Sequence, residues 1–296
     1  MAIPIKKQLA ANIVGHWDFR TGSIGDQSGS GNNASFNGSP VWGNSSRGRV
    51  LNFNGVDSYL SVPHSSDFNF AGKATTLYIR FKATPTGANN YLFDHQAGGA
   101  PGSGWLGLVN SAGKFNFNHR ATTTNIDIFS TNTLDDGEWH DVVVAFDATS
   151  SVSLYVDGLF DNQSTFADLL DRTEDLDIGG LNSGVSFYSG SMTELMILDT
   201  EMSAQQVSQF YTESLQEAHL NFIPEKTVLP DREDSDAKLL HWQSPLNGKA
   251  FDVSGNGRNS LTTSATSSTD SVFGTSFLLN GTNSWIETAS TIDLTA

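Results

Sequence analysis

Apolar and polar residues alternate in short runs from Ile13 to Leu198, and glycine, asparagine or aspartate closes most runs. Ile13-Val-Gly-His-Trp-Asp-Phe19 alternates, and Gly25-Asp-Gln-Ser-Gly-Ser-Gly-Asn-Asn33 then breaks the pattern. Val50-Leu-Asn-Phe53 and Tyr59-Leu-Ser-Val62 flank Asn54-Gly-Val-Asp57, which predicts a hairpin. Further strands are predicted at Thr76–Phe81, Trp105–Val109, Lys114–Phe117, Asp141–Phe146, Val152–Val156, Leu176–Ile178 and Met192–Leu198. Asp157-Gly158 predicts a tight turn, and Trp139 is expected in the core with His140 facing away from it. Period-two strands with no helical pattern between them predict an all-β fold, two antiparallel sheets packed face to face. One helix is expected to follow, against one end of the sandwich. Ser203 and Gln206 form a capping box ahead of a Val207, Phe210, Tyr211, Leu215 stripe.

The opening blocks then recur. His16-Trp17 returns as His241-Trp242, and Asp26-Gln-Ser-Gly-Ser-Gly-Asn-Asn33 as Asp252-Val-Ser-Gly-Asn-Gly-Arg-Asn259. Phe53-Asn-Gly-Val-Asp-Ser-Tyr59 returns as Leu279-Asn-Gly-Thr-Asn-Ser-Trp285, at the same offset of 226 residues (252 − 26 and 279 − 53). The chain therefore divides into an arm (1–11), a complete β domain (12–222), a polar, proline-containing linker (223–238) and the opening strands of a second copy (239–296). That second copy is either a fragment of a longer chain or completes a sheet in the first domain or another subunit.

Composition narrows the function. Sixteen basic against 32 acidic residues give a net charge of −16, which repels phosphate backbones and anionic membranes and excludes nucleic acid as a partner. There are no cysteines, hence no disulfides, thiolate metal sites or cysteine nucleophile. No apolar run is long enough for membrane insertion, and Met1 to Lys7 does not read as an export signal. The sequons at Asn33, Asn37, Asn44, Asn162 and Asn280 read as chance products of an Asn/Ser-rich chain.

Taken in order, the Trp17 strand, Asp26-x-Ser-Gly-x-Gly-Asn32, the Phe53–Tyr59 hairpin, Gly137-Glu-Trp-His140, Leu154-Tyr-Val-Asp-Gly158, Ile178-Gly-Gly180 and Gly190–Ile197 resemble a laminin-G-like, concanavalin-A-like jellyroll domain across residues 12–212. The resemblance implies a two-sheet jellyroll that binds carbohydrate or protein, often with structural calcium, and does not imply catalysis. It also implies that Asp26, Asp57 and Glu194 approach one end of the sandwich, where their oxygens would suit calcium. The alternative is that Asp26 and Asp57 hydrogen-bond their own turns.

Sugar binding calls for an exposed ring beside polar side chains. The candidates are His95, Trp105, Asn118 and Arg120, with Asn116 and His119 between them; Trp105 as core is the competing assignment. A β-glucanase would need alternating carboxylates on one strand. Glu174-Asp-Leu-Asp-Ile178 lacks the third, its place being taken by Gly179-Gly180, so no enzyme is expected.

A binding fold that is acidic, cysteine-free and repeat-built, and that lacks an export signal, is expected in a phage virion: a capsid decoration, head fibre or tail adhesin. Its partners would be capsid or tail proteins and glycans, an oligomer is plausible, and the Lys6/Lys7 arm would dock onto the particle. The alternative is a lectin-like module of a larger bacterial secreted or cell-surface protein, and a third reading is a protein-binding module with no sugar site.

Overall fold

Strand alternation resolves into paired ladders throughout the computed structural model, which describes residues 3–97, 103–120, 125–167, 169–181 and 186–220 and six later strand segments. The chain splits into two units, Met1–Ala218 and His219–Ala296. Strands of the first unit are β1 (Ile13–Asp18), β2 (Ser35–Asn37), β3 (Val41–Ser45), β4 (Gly48–Asn54), β5 (Tyr59–Val62) and β6 (Thr75–Ala83). They continue as β7 (Asn90–Ala97), β8 (Ser103–Val109), β9 (Lys114–Arg120), β10 (Asn125–Thr133), β11 (His140–Phe146) and β12 (Ser151–Val156). The last are β13 (Leu159–Thr165), β14 (Leu176–Ile178), the short ribbon of β15 (Gly180–Leu181) with β16 (Ser186–Phe187), and β17 (Ser189–Leu198).

Two antiparallel sheets result. The first runs β13-β12-β11-β6-β17-β4-β3 with β1 also on β17; the second runs β10-β9-β8-β7-β14-β5-β2. This is the jellyroll sandwich expected from the sequence. Leu77, Ile79 and Phe81 of β6 and Val142, Val144 and Phe146 of β11 meet Phe93, Phe115, Phe117 and Ile178 from the second sheet in one buried core. Asp157 and Gly158 both take positive φ, 51° and 79°, so the β12–β13 hairpin closes in the predicted tight turn. Trp139 departs from expectation: it lies half-buried just ahead of β11 rather than in the core.

The central strands β6, β11 and β17 of the first sheet are buried on both faces, which explains their nearly continuous apolar sequence. Its outer face, with Tyr78, Val143, Tyr155, Met196 and Leu198, is covered by α1 (Ile5–Gln8) and α2 (Ala204–Leu220) through Ile5, Leu9, Met202, Val207 and Phe210. The predicted capping box is present, Ser203 N–H donating to Gln206 Oε1 at 2.9 Å and Gln206 N–H to Ser203 Oγ at 3.3 Å. The helix, however, lies on a sheet face and not at an end of the sandwich. Under it Arg80, fully buried, donates from Nε to Asp141 Oδ1 at 2.9 Å. The arm is likewise part of the fold: the Ile5 N–H donates to Glu213 Oε2 at 2.6 Å, and Lys6 bonds Glu194. Among the described residues, no helix is long and apolar enough to cross a membrane.

In the second unit β18 (His241–Gln243) pairs β19 (Ala250–Asp252), β20 (Ser260–Thr263) pairs β23 (Trp285–Thr288), and β21 (Thr266–Ser268) pairs β22 (Ser276–Leu278). Leu261 faces Glu287, Thr262 faces Ile286 and Thr263 faces Trp285. At the 226-residue offset these are the Ser35–Ser61, Phe36–Leu60 and Asn37–Tyr59 pairs of β2 and β5. The β21–β22 ladder is one residue out of step with β3–β4. The linker at 223–238 and the repeated turn blocks lie outside the described residues.

Candidate functional site

The outer face of the second sheet carries a groove whose central side chains, Leu106, Leu108, Asn116 and Asn118, are only 6–8% exposed, and strand alternation decides what stands on it. On β8, Trp105 and Val109 turn into the core, so Leu106 and Leu108 face outward. On β9, Phe115 and Phe117 turn inward, which puts Asn116, Asn118 and Arg120 on the outer face. Register lines these residues up in rows across the strands: Tyr91–Leu108–Asn116, then Leu106–Asn118–Asp127, then Gln96–Gly104–Arg120. With Asn89 and Asn110 at the far end they line a groove of about 390 Å³.

Leucines form its floor and amides its walls. Arg120 grips Asp127 with both terminal nitrogens, Nη1 to Oδ2 at 2.9 Å and Nη2 to Oδ1 at 3.0 Å. Asn118 Nδ2 donates to the same Asp127 Oδ1 at 2.8 Å, and its carbonyl accepts a long bond of 3.5 Å from Gln96 Nε2, which fixes the amide between the two walls. Amides that both donate and accept, over an apolar floor, are suited to a ligand with many hydroxyls and an apolar ring face.

Of the four sugar-binding candidates, two reach this groove. Asn118 and Arg120 line it, whereas Trp105 and His95 are buried on the opposite face of the sheet, along with His119. Trp105 stacks on Phe70 at 4.8 Å between ring centres and donates its indole N–H to the Phe68 carbonyl at 3.0 Å. Its role is to fill the core. His95, at 5.1 Å from Trp105 and 6.0 Å from His64, sits in a pocket where burial and then the His64 charge push its pKa down to about 4. Tyr91, Gln96, Leu106, Leu108 and Asp127 were not singled out in the sequence, though the period-two register from Trp105 carries the signal for Leu106 and Leu108.

The three calcium candidates fall in different settings. Asp26 organises its own loop, Oδ1 accepting from the His16 and Ser28 N–H groups and Oδ2 from Ser28 Oγ and the Asn32 N–H, at 2.8–2.9 Å. Asp57 accepts from Asn54 Nδ2 at 2.7 Å within the β4–β5 turn. Glu194 is buried in the first sheet. Among the described residues a different trio, His16, Asp18 and Glu194, has ligand atoms within 4.8 Å of one another.

That spacing admits a metal ion, but the donor set does not fit calcium. Glu194 already accepts from Lys6, from His16 Nε2 at 2.7 Å and from Arg20 Nη2 at 2.9 Å. Arg20 also forks onto Asp18 with two bonds of 2.8 Å. Two fixed cations and an imidazole occupy the place where calcium would need six or more oxygens. Burial pushes the Glu194 carboxyl up, but Lys6, Arg20 and His16 together hold it well below the usual range.

The carboxylate run weighed for catalysis is not built as an acid–nucleophile pair. Asp175 accepts from the His64 N–H at 3.0 Å and Ser61 Oγ at 3.4 Å, and Asp177 is buried opposite Asp94.

A two-sheet antiparallel sandwich with one outer face covered by helices and the other grooved defines a jellyroll module. The chain belongs to the concanavalin A-like lectin/glucanases superfamily, whose family model matches residues 54–208, more than half of it. Three solved structures share the fold. The binding domain of Paraclostridial Mosquitocidal Protein 1 has 15% identity and TM-score 0.58, with 70% of this chain and 53% of that one covered. Domain 4 of AbnA, a GH43 extracellular arabinanase from Geobacillus stearothermophilus, in complex with arabinotriose, has 16% identity and TM-score 0.54, with 68% and 98% covered. A botulinum neurotoxin type C structure, described by the dependence of cell entry on two ganglioside molecules, has 9% identity and TM-score 0.58, with 70% and 52% covered. The chain thus spans about half of each toxin chain and nearly all of the arabinanase domain. No curated protein sequence matches it.

Proposed function

We propose that the protein is a non-catalytic carbohydrate-binding module that holds its ligand in the outer-face groove of the second sheet. The observation that carries this is the ordered wall of amides, from Asn116 and Asn118 on β9 to Gln96 on β7, over the Leu106 and Leu108 floor. The matched arabinanase domain is described with arabinotriose and the neurotoxin with gangliosides, which supports a glycan as the ligand. Both belong to secreted or cell-targeting proteins, and this favours a lectin-like module of a secreted or surface protein over a virion component. The expected particle-docking arm is packed against α2 and Glu194, so residues 3–11 lend no support to a capsid or tail partner. The register shared by β2–β5 and β20–β23 supports a second, partial copy of the same domain. Calcium has no part in the reading.

The test is a glycan array probed with the whole chain and with its Asn116→Ala/Asn118→Ala double variant, with and without EDTA. Binding to a defined glycan that the double variant loses and EDTA leaves intact is the expected result. Silence of the folded wild-type chain across the array would end the proposal.

A further inference from the structure

Among the described residues Arg120 is the one basic side chain lining the groove, and its charge is already matched. Its fork lies on the Asp127 carboxylate through two bonds, the geometry by which arginine would otherwise hold an acidic ligand. A carboxylate or sulfate group arriving there meets Asp127 in place of a free cation. Two further carboxylates extend the same row, buried at 2% and 3% exposure and each with a partner of its own. The row from Asp127 through Asn118 and Leu106 continues to Asp94 and Asp177, which face each other on β7 and β14. Each alternates with core-facing neighbours, Phe93 and His95 or Leu176 and Ile178, so both carboxylates stand on the groove's side of the sheet. Lys114 begins β9 outside the lining, and the net charge of −16 repels anions at longer range.

The rest of the lining is neutral and two-sided in its hydrogen bonding: Asn89, Gln96, Asn110, Asn116 and Asn118, with Tyr91 beside them. Arg120 to Asn116 spans roughly 13 Å along one strand, room for a short linear chain of sugars.

We infer that the groove selects an uncharged, hydroxyl-rich linear oligosaccharide, and that the Arg120–Asp127 pair excludes acidic glycans. The inference rests on the carbohydrate-binding reading of this groove. It also sets the chain apart from its ganglioside-dependent structural neighbour.

The experiment is titration calorimetry of the full chain against neutral arabino-, xylo-, gluco- and manno-oligosaccharides. Uronate, sulfated and sialylated oligosaccharides of similar length, and amino-sugar oligomers, form the comparison set. The wild-type chain is expected to bind from the neutral set alone. Asp127→Ala frees Arg120 and is expected to raise affinity for the acidic set about tenfold, a gain that high salt removes. Asp127→Asn, which keeps the side-chain shape, repeats the measurement should the alanine variant fold poorly. A wild-type preference for acidic or amino sugars overturns the inference while leaving carbohydrate binding intact. Acidic binding unchanged in both Asp127 variants overturns it as well. No binding to any sugar, by a chain shown folded, removes the carbohydrate reading itself.

Discussion

Trp105 and Leu106 are consecutive residues of β8 that end on opposite faces of the second sheet, the indole stacked on Phe70 in the core and the leucine on the groove floor. One residue of register therefore separates a core-filling ring from a ligand contact, because side chains alternate along a strand.

This division predicts a clean separation of effects. Trp105→Ala removes a fully buried ring and its N–H bond to Phe68, and is expected to cost about 3–5 kcal/mol of stability. Urea unfolding followed by far-UV circular dichroism measures it. Any glycan preference retained by the folded fraction should match the wild type; a changed preference would put the indole in the site after all.

Asn118→Ala should behave in the opposite way. It leaves Asp127 held by Arg120, so the stability loss is expected to stay near 1 kcal/mol. Glycan affinity, read by calorimetry, should fall about tenfold because a fixed hydrogen-bonding amide leaves the groove wall. Equal affinity for the variant would move the site elsewhere.

The fold was legible because alternation, Asn-Gly and Asp-Gly turns and the Ser203 capping box are local signals, each contained within a few residues. The site was half legible. Asn118 and Arg120 are polar residues near Trp105 in the sequence, and the fold puts them on the groove; Trp105 itself reads as a ligand platform because an isolated aromatic carries no sign of which face it takes. Deciding that needs the pairing of β8 with β7 and β9. The ion network around Glu194 was not legible for a different reason: Lys6, Arg20 and Glu194 are up to 188 residues apart, and only the β1–β17 ladder and the folded arm bring them together. The helix was placed at an end because the sequence does not show that the apolar outer positions of β6, β11 and β17 need a cover.

The cluster around Glu194 is expected to act as a structural ion network. Glu194→Gln leaves Lys6 and Arg20 without their shared carboxylate inside the sheet, a change expected to cost about 3–5 kcal/mol. EDTA should not shift the thermal midpoint of the wild-type chain. A lowered midpoint in EDTA, restored by calcium, would show that the His16, Asp18 and Glu194 spacing holds an ion in solution.

Two histidines give stability opposite slopes with pH. Burial, then the His64 charge, pushes His95 from 6.5 down to about 4, so the folded state disfavours its protonation. The unfolded chain binds the proton more readily between those values, so this contribution is complete above pH 6.5 and is lost as pH falls towards 4. A gap of that size corresponds to roughly 3 kcal/mol. His140 runs the other way. Burial opposes its charge, but Nδ1 on Asp157 at 2.9 Å and Nε2 on Asp136 at 3.1 Å outweigh that and raise its pKa. Its contribution is complete below 6.5 and is lost as pH rises through the folded value, and it is small because Asp136 is largely exposed. Urea midpoints from pH 4 to 9 should therefore fall steeply on the acid side and gently on the alkaline side. His95→Phe, an apolar ring beside Phe68 and Trp105, should flatten the limb between 4 and 6.5, and His140→Gln the alkaline one. Glu194, held below its usual range, loses its contribution only as pH falls through its own depressed value, which keeps the limbs separable. An acid limb that persists unchanged in His95→Phe would assign the proton uptake to another group.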